Sequence, residues 1–289
     1  MTVTIHINCA IMRVEQSLII QYSAKRGLIY MQIERLRAKK GFICDMDGVI
    51  YHGNQLLPGA GEFVDWLVRE DKSFLFLTNS SERSPRELMQ KLGRLGLEVG
   101  EEHFYTSALA TANFLSRQSP GCSVFVIGEP GLYNALYDAG LTVNDVDPDY
   151  VVVGETRSYN YESILRAVRH VQDGANLIGT NPDMTGPTEN GMIPACRALI
   201  APIELATGKS AYFVGKPNPL MMRTGLKMLG VHSGEAALIG DRMDTDIIAG
   251  IETGIDTVLV LTGVSTRESV AQFPYRPQYI LDGIGDLVK

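Results

Sequence analysis

The chain has 289 residues, enough for one large domain or two of ordinary size. Its 45% apolar and 20% charged residues are typical of a globular protein with a sizeable core. The formal net charge of −7 argues against binding to a nucleic acid polymer, but it leaves room for a small basic pocket that holds one phosphate.

Residues 1–40 precede the first clear strand and contain a further methionine, Met31. The segment lacks the basic start and the ~7–15-residue apolar stretch of a secretory signal. One hypothesis is that residues 1–30 are a mis-assigned, non-native start and that Met31 is the first residue. The alternative is that these residues form an additional structural arm, an N-terminal extension over 1–40.

From residue 41 onwards, strand-like and helix-like segments alternate. "GFICD", "SFLFLTN" and "HFYTS" are predicted strands, and "AALIGD", "TVLVLTG" and "YILD" resume the pattern near the C-terminus. The helix "SPRELMQKLGRLG" begins with a capping box formed by Ser84 and Glu87. This alternation predicts an α/β protein with a Rossmann-like parallel sheet over 41–116 and 211–289, and ligands bind outside the carboxyl ends of such strands.

The middle of the chain, 117–210, has an alternating pattern of its own. "SVFVIG", "DYVVVG" and "NLIGTNPD" are predicted strands, and "YESILRAVRHVQDG" and "ACRALIAPIELATG" are predicted helices. These units could extend the first sheet. We favour a separate inserted α/β domain, because the polar positions described next leave a long gap there.

Two acids follow the first strand directly. Side chains at positions i and i+2 of a strand point the same way, so Asp45 and Asp47 lie on one face. Neighbouring carboxylates at the end of a buried run repel each other and lose hydration, which favours a bound cation. Oxygen ligands with open positions are what Mg²⁺ prefers.

Other polar side chains stand at predicted strand ends or helix starts, and these ends share one edge of a parallel sheet. Asp241 alone could cap a helix, and Lys216 alone could be a solvated surface residue. Thr78 and Asn79 could form a turn. Their joint order favours a site, in which a hydroxyl, an amide and a lysine would hold a phosphate.

The four motifs "DMDG", "LTN", "VGKP" and "GDRMDTD" resemble, in that order, those of the haloacid dehalogenase (HAD) superfamily of phosphohydrolases. The similarity covers about residues 41–289. It is greatest to subclass IIA, the NagD-type branch that includes ribonucleotide monophosphatases, as in "CDMDGVIYHG", "VVVGETRSYNY" and "YFVGKPNP". The resemblance implies that the insertion over 117–210 is a C2-type cap, which closes over the site.

The resemblance also implies roles for individual residues. Asp45 would be the nucleophile that forms an aspartyl-phosphate, and Asp47 would be the general acid and base. Mg²⁺ would be bound by the Asp45 carboxylate, the Asp47 backbone carbonyl and Asp241. Asp246 would contact the metal-bound waters or Lys216 without binding the metal directly.

The phosphate oxygens would be held by Thr78, Asn79 and Lys216, with Asp47 beside them. In the cap, "GETRSYNY" and "GTNPDMTGPTENG" follow strands and should reach towards the cleft. Specificity residues would then be Glu155, Arg157 and Asn181, which could hydrogen-bond a sugar or base, and Tyr159, which could stack on one. Equally, these four residues could only stabilise their loops.

The predicted function is a Mg²⁺-dependent phosphatase that hydrolyses small phosphomonoesters, with nucleoside 5′-monophosphates such as UMP as substrates. Alternatives are sugar phosphates, phosphoglycolate and pyridoxal phosphate. A receiver-like phospho-aspartate switch uses similar groups, but Asp47 is placed to hydrolyse the intermediate. A dinucleotide-dependent oxidoreductase is disfavoured because no GxGxxG follows a strand.

The expected partner is a small phosphate ester, with no nucleic acid polymer and no membrane, since no apolar run approaches the ~18 residues of a membrane span. A homo-oligomer is compatible with the sequence. Four widely spaced cysteines without a CxxC pair favour reduced thiols and a cytoplasmic location.

Overall fold

The computed structural model describes residues 31–188 and 191–288. The two hypotheses on residues 1–30 therefore lie outside the described residues. Residues 31–37 are helical. The chain from Lys40 onwards forms one compact unit, and it contains every predicted site residue.

Strands occupy short, mostly apolar segments spread over the whole unit. They are β1 (Gly41–Cys44), β2 (Tyr51–His52), β3 (Gln55–Leu56), β4 (Ser73–Thr78), β5 (Phe104–Thr106), β6 (Ser123–Ile127), β7 (Thr142–Val143), β8 (Tyr150–Val153), β9 (Asn176–Gly179), β10 (Thr185–Thr188), β11 (Gly191–Pro194), β12 (Tyr212–Phe213), β13 (Ala236–Gly240), β14 (Asp256–Val260) and β15 (Tyr279–Leu281).

The α-helices alternate with these strands and cover the faces of the sheets. They are α1 (Ala60–Arg69), α2 (Pro85–Arg94), α3 (Ser107–Gln118), α4 (Pro130–Asp138), α5 (Tyr161–Asp173), α6 (Cys196–Thr207), α7 (Pro219–Leu229), α8 (Ile248–Thr253) and α9 (Arg267–Val270). Helix α2 has the predicted capping box between Ser84 and Glu87, and α8 ends at Gly254, which adopts the left-handed conformation.

The first sheet has six parallel strands in the order β15-β14-β13-β1-β4-β5. Strand β1 lies at the centre, between β13 and β4, and Phe42, Ile43 and Cys44 are fully buried. Such strands are covered on both faces, which explains their continuous apolar sequence. The residues that follow β1, β4 and β13 therefore meet at one edge of the sheet, as predicted.

The second sheet has five parallel strands in the order β12-β9-β8-β6-β7, and it is inserted between α3 and α7. The fold is thus a Rossmann-like α/β core with an inserted cap, as predicted. Strand β12 pairs with Ile178 and Gly179 of β9, so the second sheet extends to Phe213. That end lies three residues beyond the predicted boundary at 210.

Two short antiparallel hairpins lie outside the two parallel sheets. One joins β2 to β3 directly after Asp47, and the other joins β10 to β11 in the second half of the cap. Between β13 and α8 the chain forms a π turn over Met243–Ile247. Such turns are frequent at functional sites, and this one carries Asp246 back towards the sheet edge. Among the described residues no helix combines the length and apolarity needed to cross a membrane.

Candidate active site

A buried lysine organises the edge of the first sheet. Lys216 is only 2% exposed, and its Nζ lies 2.5 Å from Asp45 Oδ1 and 2.7 Å from Asp246 Oδ1. The same ammonium donates to the carbonyl oxygen of Leu77 at 3.1 Å. All three donors of the lysine are therefore used, which fixes both carboxylates relative to β4.

The local backbone explains why Asp45 and Asp241 face each other. Asp45 continues the sheet ladder by donating its N–H to Ile239 O at 2.8 Å. Asp241 follows β13, and its Oδ2 accepts a hydrogen bond from Val264 N at 2.7 Å. A Cβ at Gly48, where φ is +80°, would lie 2.7 Å from Asp241 Oδ2, so this close approach requires glycine.

Three carboxylates converge at this point. Asp45, Asp241 and Asp246 each place one oxygen so that all three oxygens lie within 4.8 Å of one another. Burial raises the pKa of Asp45 to about 7, although Lys216 opposes this, and Asp246 adds to it. Burial together with Asp45 also raises the pKa of Asp241 well above its usual value. One lysine does not balance three acids, so the cluster favours a further cation.

The donor set fits a hard divalent cation. It consists of carboxylate oxygens, without the thiolates or imidazoles that soft or borderline metals select. The family resemblance implies that Asp246 contacts the metal's waters or the lysine and not the metal itself. In the structure its carboxylate is one of the three that converge. Asp246 also accepts hydrogen bonds from Lys216 Nζ and, at 3.1 Å, from Arg242 N, so it links the candidate metal ligands to the lysine.

The Asp47 carboxylate is not one of the three that converge, and the role of its backbone carbonyl at a metal stays a prediction. Its carboxylate lines the same cavity as Asp45, and His52 Nδ1 lies 3.5 Å from its Oδ1. Burial raises the pKa of Asp47, while Lys91 and His52 act in the opposite direction. A carboxyl whose pKa is raised by burial and lowered by nearby cations can serve as both an acid and a base in a site.

The side chain of Asn79 holds the lysine loop. Its Oδ1 accepts from Lys216 N at 2.7 Å, and its Nδ2 donates to Lys216 O at 3.0 Å and to Asp183 Oδ2 at 3.1 Å. These bonds use both ends of the amide, so the structure supports positioning of Lys216 rather than phosphate binding by this side chain. Thr78 lines the cavity, and its Oγ1 accepts from Ser80 N at 3.1 Å.

The four predicted cap residues divide between the cavity and the interior. Glu155 bonds Ser81 and Asn181, and Asn181 also donates to Asn79 O at 2.7 Å, so this pair joins the cap to the core. Tyr159 packs among apolar cap residues and donates its hydroxyl to Leu199 O, which does not support stacking on a substrate. Arg157 is exposed and lines the cavity.

The cavity has a volume of about 390 Å³ and lies between the first sheet and the cap. The stretch "GTNPDMTGPTENG", which contains β10, lines the cavity as the sequence predicted, but Asp183 and Arg242 were not predicted as site residues. These two residues stand in "GTNPD" and "GDRMDTD", stretches noted for other positions. No local pattern marked them, because their partners are distant in sequence.

Family models match both halves of this core. A model described as haloacid dehalogenase-like hydrolase matches residues 42–142, and a second, described as HAD-hydrolase-like, matches residues 213–287. Ribonucleotide monophosphatase NagD from Escherichia coli is 42% identical over 248 residues, which cover 86% of this chain and 98% of the relative. The chain belongs to the HAD family of hydrolases.

Other relatives of this HAD chain act on different esters. Dihydroxyacetone phosphatase from Corynebacterium glutamicum is 43% identical over 85% of this chain and 90% of the relative. Acid sugar phosphatase from Staphylococcus aureus is 39% identical over 88% and 98%. A solved structure of E. coli NagD superposes with a TM-score of 0.81 and covers 86% of this chain and 98% of that one. The protein is therefore a NagD-type (subclass IIA) phosphoric monoester hydrolase.

Replacing Asp241 with alanine tests the metal cluster of this HAD chain. We expect the Mg²⁺ concentration for half-maximal activity to rise by at least about tenfold, because one of three converging carboxylates is lost. Calorimetric titration with Mg²⁺ should show the same weakening without substrate. Asp65→Ala, an exposed acid on α1, serves as the control. An unchanged Mg²⁺ affinity in Asp241→Ala would remove this residue from the metal site.

Proposed function

We propose that this chain is a Mg²⁺-dependent phosphatase of small phosphomonoesters and that it works through an aspartyl-phosphate on Asp45. The observation that carries the proposal is the buried contact of Lys216 Nζ with Asp45 and Asp246, beside Asp241, in a cavity that Asp47 also lines. Two acids with different surroundings can take different chemical roles.

Asp45 acts as the nucleophile in this proposal. Lys216 holds Asp45 Oδ1 in place and favours the ionised carboxylate against the effect of burial. A carboxylate oxygen of Asp45 forms a bond to phosphorus while the bond from phosphorus to the ester oxygen breaks. The lysine also offsets negative charge on the phosphoryl group during this transfer.

Asp47 moves the protons. It first protonates the departing ester oxygen, so that an alcohol leaves. It then accepts a proton from the water that attacks phosphorus, and the bond between phosphorus and Asp45 breaks to release phosphate. Its raised pKa and its position outside the carboxylate cluster support this exchange.

Mg²⁺ would be held by Asp45, Asp241 and the backbone carbonyl of Asp47, with Asp246 close by, and when bound it would offset the charge of the carboxylates and the phosphate. The three cysteines among the described residues, Cys44, Cys122 and Cys196, are buried free thiols. Reduced thiols support a cytoplasmic location as part of the proposal.

For the substrate we propose nucleoside 5′-monophosphates such as UMP, in line with the similarity to ribonucleotide monophosphatase NagD. One observation favours small sugar or triose phosphates as a second candidate. Among the described residues that line the cavity, Tyr51 alone has an aromatic ring, and the Lys91 ammonium lies 3.5 Å from its centroid. A nucleobase would thus find little free surface for stacking.

A phosphate-release panel tests both candidates. It should contain UMP, glucose 6-phosphate, dihydroxyacetone phosphate, phosphoglycolate and pyridoxal phosphate, each with Mg²⁺ and with EDTA. We expect release only with Mg²⁺ and the highest kcat/KM for UMP. A higher kcat/KM for the sugar or triose phosphate would select the second candidate, and equal release in EDTA would contradict the metal-dependent mechanism.

A further inference from the structure

Arg242 lies at the junction between the carboxylate cluster and the cap. Its backbone N–H donates to Asp246 Oδ2 at 3.1 Å, directly after Asp241. Its guanidinium extends the other way, towards the β10–β11 hairpin, where Nη1 lies 3.4 Å from the carbonyl oxygen of Thr185. One residue thus contacts both the loop of the core that carries Asp241 and Asp246, called the metal loop below, and the hairpin of the cap.

The guanidinium is held rigidly in this orientation. Nε and Nη2 donate to the two oxygens of Asp244 at 3.1 and 2.9 Å, the bidentate geometry that suits arginine. The side chain of Arg242 is only 18% exposed, whereas Asp244 is 53% exposed. Asp244 therefore fixes the orientation of the arginine, and the remaining edge of the guanidinium points to the cap.

Asp183 is the counter-charge on the cap side. Its Oδ1 is buried and makes no hydrogen bond within the described part of the chain, and Arg242 Nη2 lies 3.9 Å from it. Asp183 also accepts from Asn79 Nδ2, and its backbone oxygen accepts from Arg197 N at 3.0 Å. A buried carboxylate without a cation is costly, so Arg242 stabilises Asp183 in this position.

Asp183 stands immediately before the hairpin. Strand β10 begins two residues later at Thr185, and its residues Gly186 and Pro187 line the cavity with the catalytic acids. Holding Asp183 and the Thr185 carbonyl therefore fixes the base of the hairpin over the substrate. Arg242 itself donates no bond to Asp45 or Asp47.

We propose that Arg242 is a positioning residue for substrate binding, because it ties the base of the β10–β11 hairpin to the metal loop through Asp183 and Thr185. The inference rests on the proposed phosphatase function of this cavity. Hairpin contacts would bind the ground state and the transition state alike, so loss of Arg242 should act on KM more than on kcat.

The test combines kinetics with a cycle of variants. Arg242→Ala should raise KM by about tenfold with kcat changed less than about threefold. Asp183→Asn should give a similar rise, and the double variant should be no worse than the stronger single variant. Arg242→Lys keeps the positive charge but loses the two parallel N–H donors, so its KM should lie between those of the unmodified protein and Arg242→Ala. Arg267→Ala, whose pair with Asp282 is exposed, is the matched control.

Hydrogen exchange gives a readout that needs no substrate. Peptides covering β10 and β11 should exchange about tenfold faster in Arg242→Ala, with β6 and β8 unchanged. Three results would each overturn the inference. They are a KM of the double variant raised by the product of the two single effects, a loss of activity confined to kcat, and an unchanged exchange rate at the hairpin. If the unmodified protein released no phosphate from any ester, the proposed function would fail, and exchange at the hairpin would still decide the role of Arg242.

Discussion

Asp45→Asn is expected to reduce turnover by a factor of about 10⁴ or more, because the amide cannot accept phosphorus as a carboxylate does. The fold should persist. Asparagine removes one acid from a cluster of three, and Lys216 keeps its contact with Asp246. The melting temperature in EDTA should therefore stay the same or rise.

Asp65→Asn provides the control for this experiment, since Asp65 is exposed on α1 and far from any site role. It should leave both turnover and melting temperature unchanged. Single-turnover phosphate release with purified protein is the measurement. Turnover in Asp45→Asn within a factor of about ten of the unmodified protein would place the nucleophile elsewhere.

Lys216→Met is expected to affect both stability and activity. Without the ammonium, Asp45, Asp241 and Asp246 have no cation between them in EDTA, which should destabilise the fold by about 3–5 kcal/mol at neutral pH. Turnover should fall as well, because the lysine orients the nucleophile and offsets phosphoryl charge. Urea unfolding and phosphate release measure the two effects, with the exposed Lys227→Met as control.

The loss of stability in Lys216→Met should depend on pH. Burial already raises the pKa of Asp45 to about 7, and removing Lys216 raises it further. The folded state then binds more protons than the unfolded state, whose aspartates titrate near about 4. Both proteins lose stability as pH rises from about 4 to 7, but only the variant keeps Asp45 protonated at higher pH, so the extra destabilisation of Lys216→Met should grow as pH rises above about 7, and Mg²⁺ should reduce it. A pH-independent loss would argue against the carboxylate cluster as its cause.

The parallel core could be predicted from the sequence because its strands are short, apolar and covered on both faces. The same rule placed Asp45 and Asp241 at one edge, since residues that follow central parallel strands meet there. Lys216 is different. No local pattern distinguishes it from a surface lysine, and only its order among the other motifs marked it.

Other features depend on contacts between residues far apart in sequence. Asn79 reads as a phosphate ligand beside Thr78, yet its amide is used by the Lys216 backbone, 137 residues away. Tyr159 reads as a loop aromatic that could stack on a substrate, but a carbonyl 40 residues later accepts its hydroxyl. Arg242 and Asp183 were not predicted as site residues either, because their contacts also join residues far apart in sequence. Periodicity and strand order locate the edge of the sheet, whereas tertiary hydrogen bonds decide which polar side chain is free.

A structure of the protein crystallised with Mg²⁺ and beryllium fluoride tests the central claim most directly. Beryllium fluoride mimics a phosphoryl group bound to a carboxylate oxygen. The account predicts a covalent-like adduct on Asp45, with Lys216 beside it and the metal against Asp241. An adduct on another residue, or an Asp45 left bare in protein that still hydrolyses phosphate esters, would contradict it.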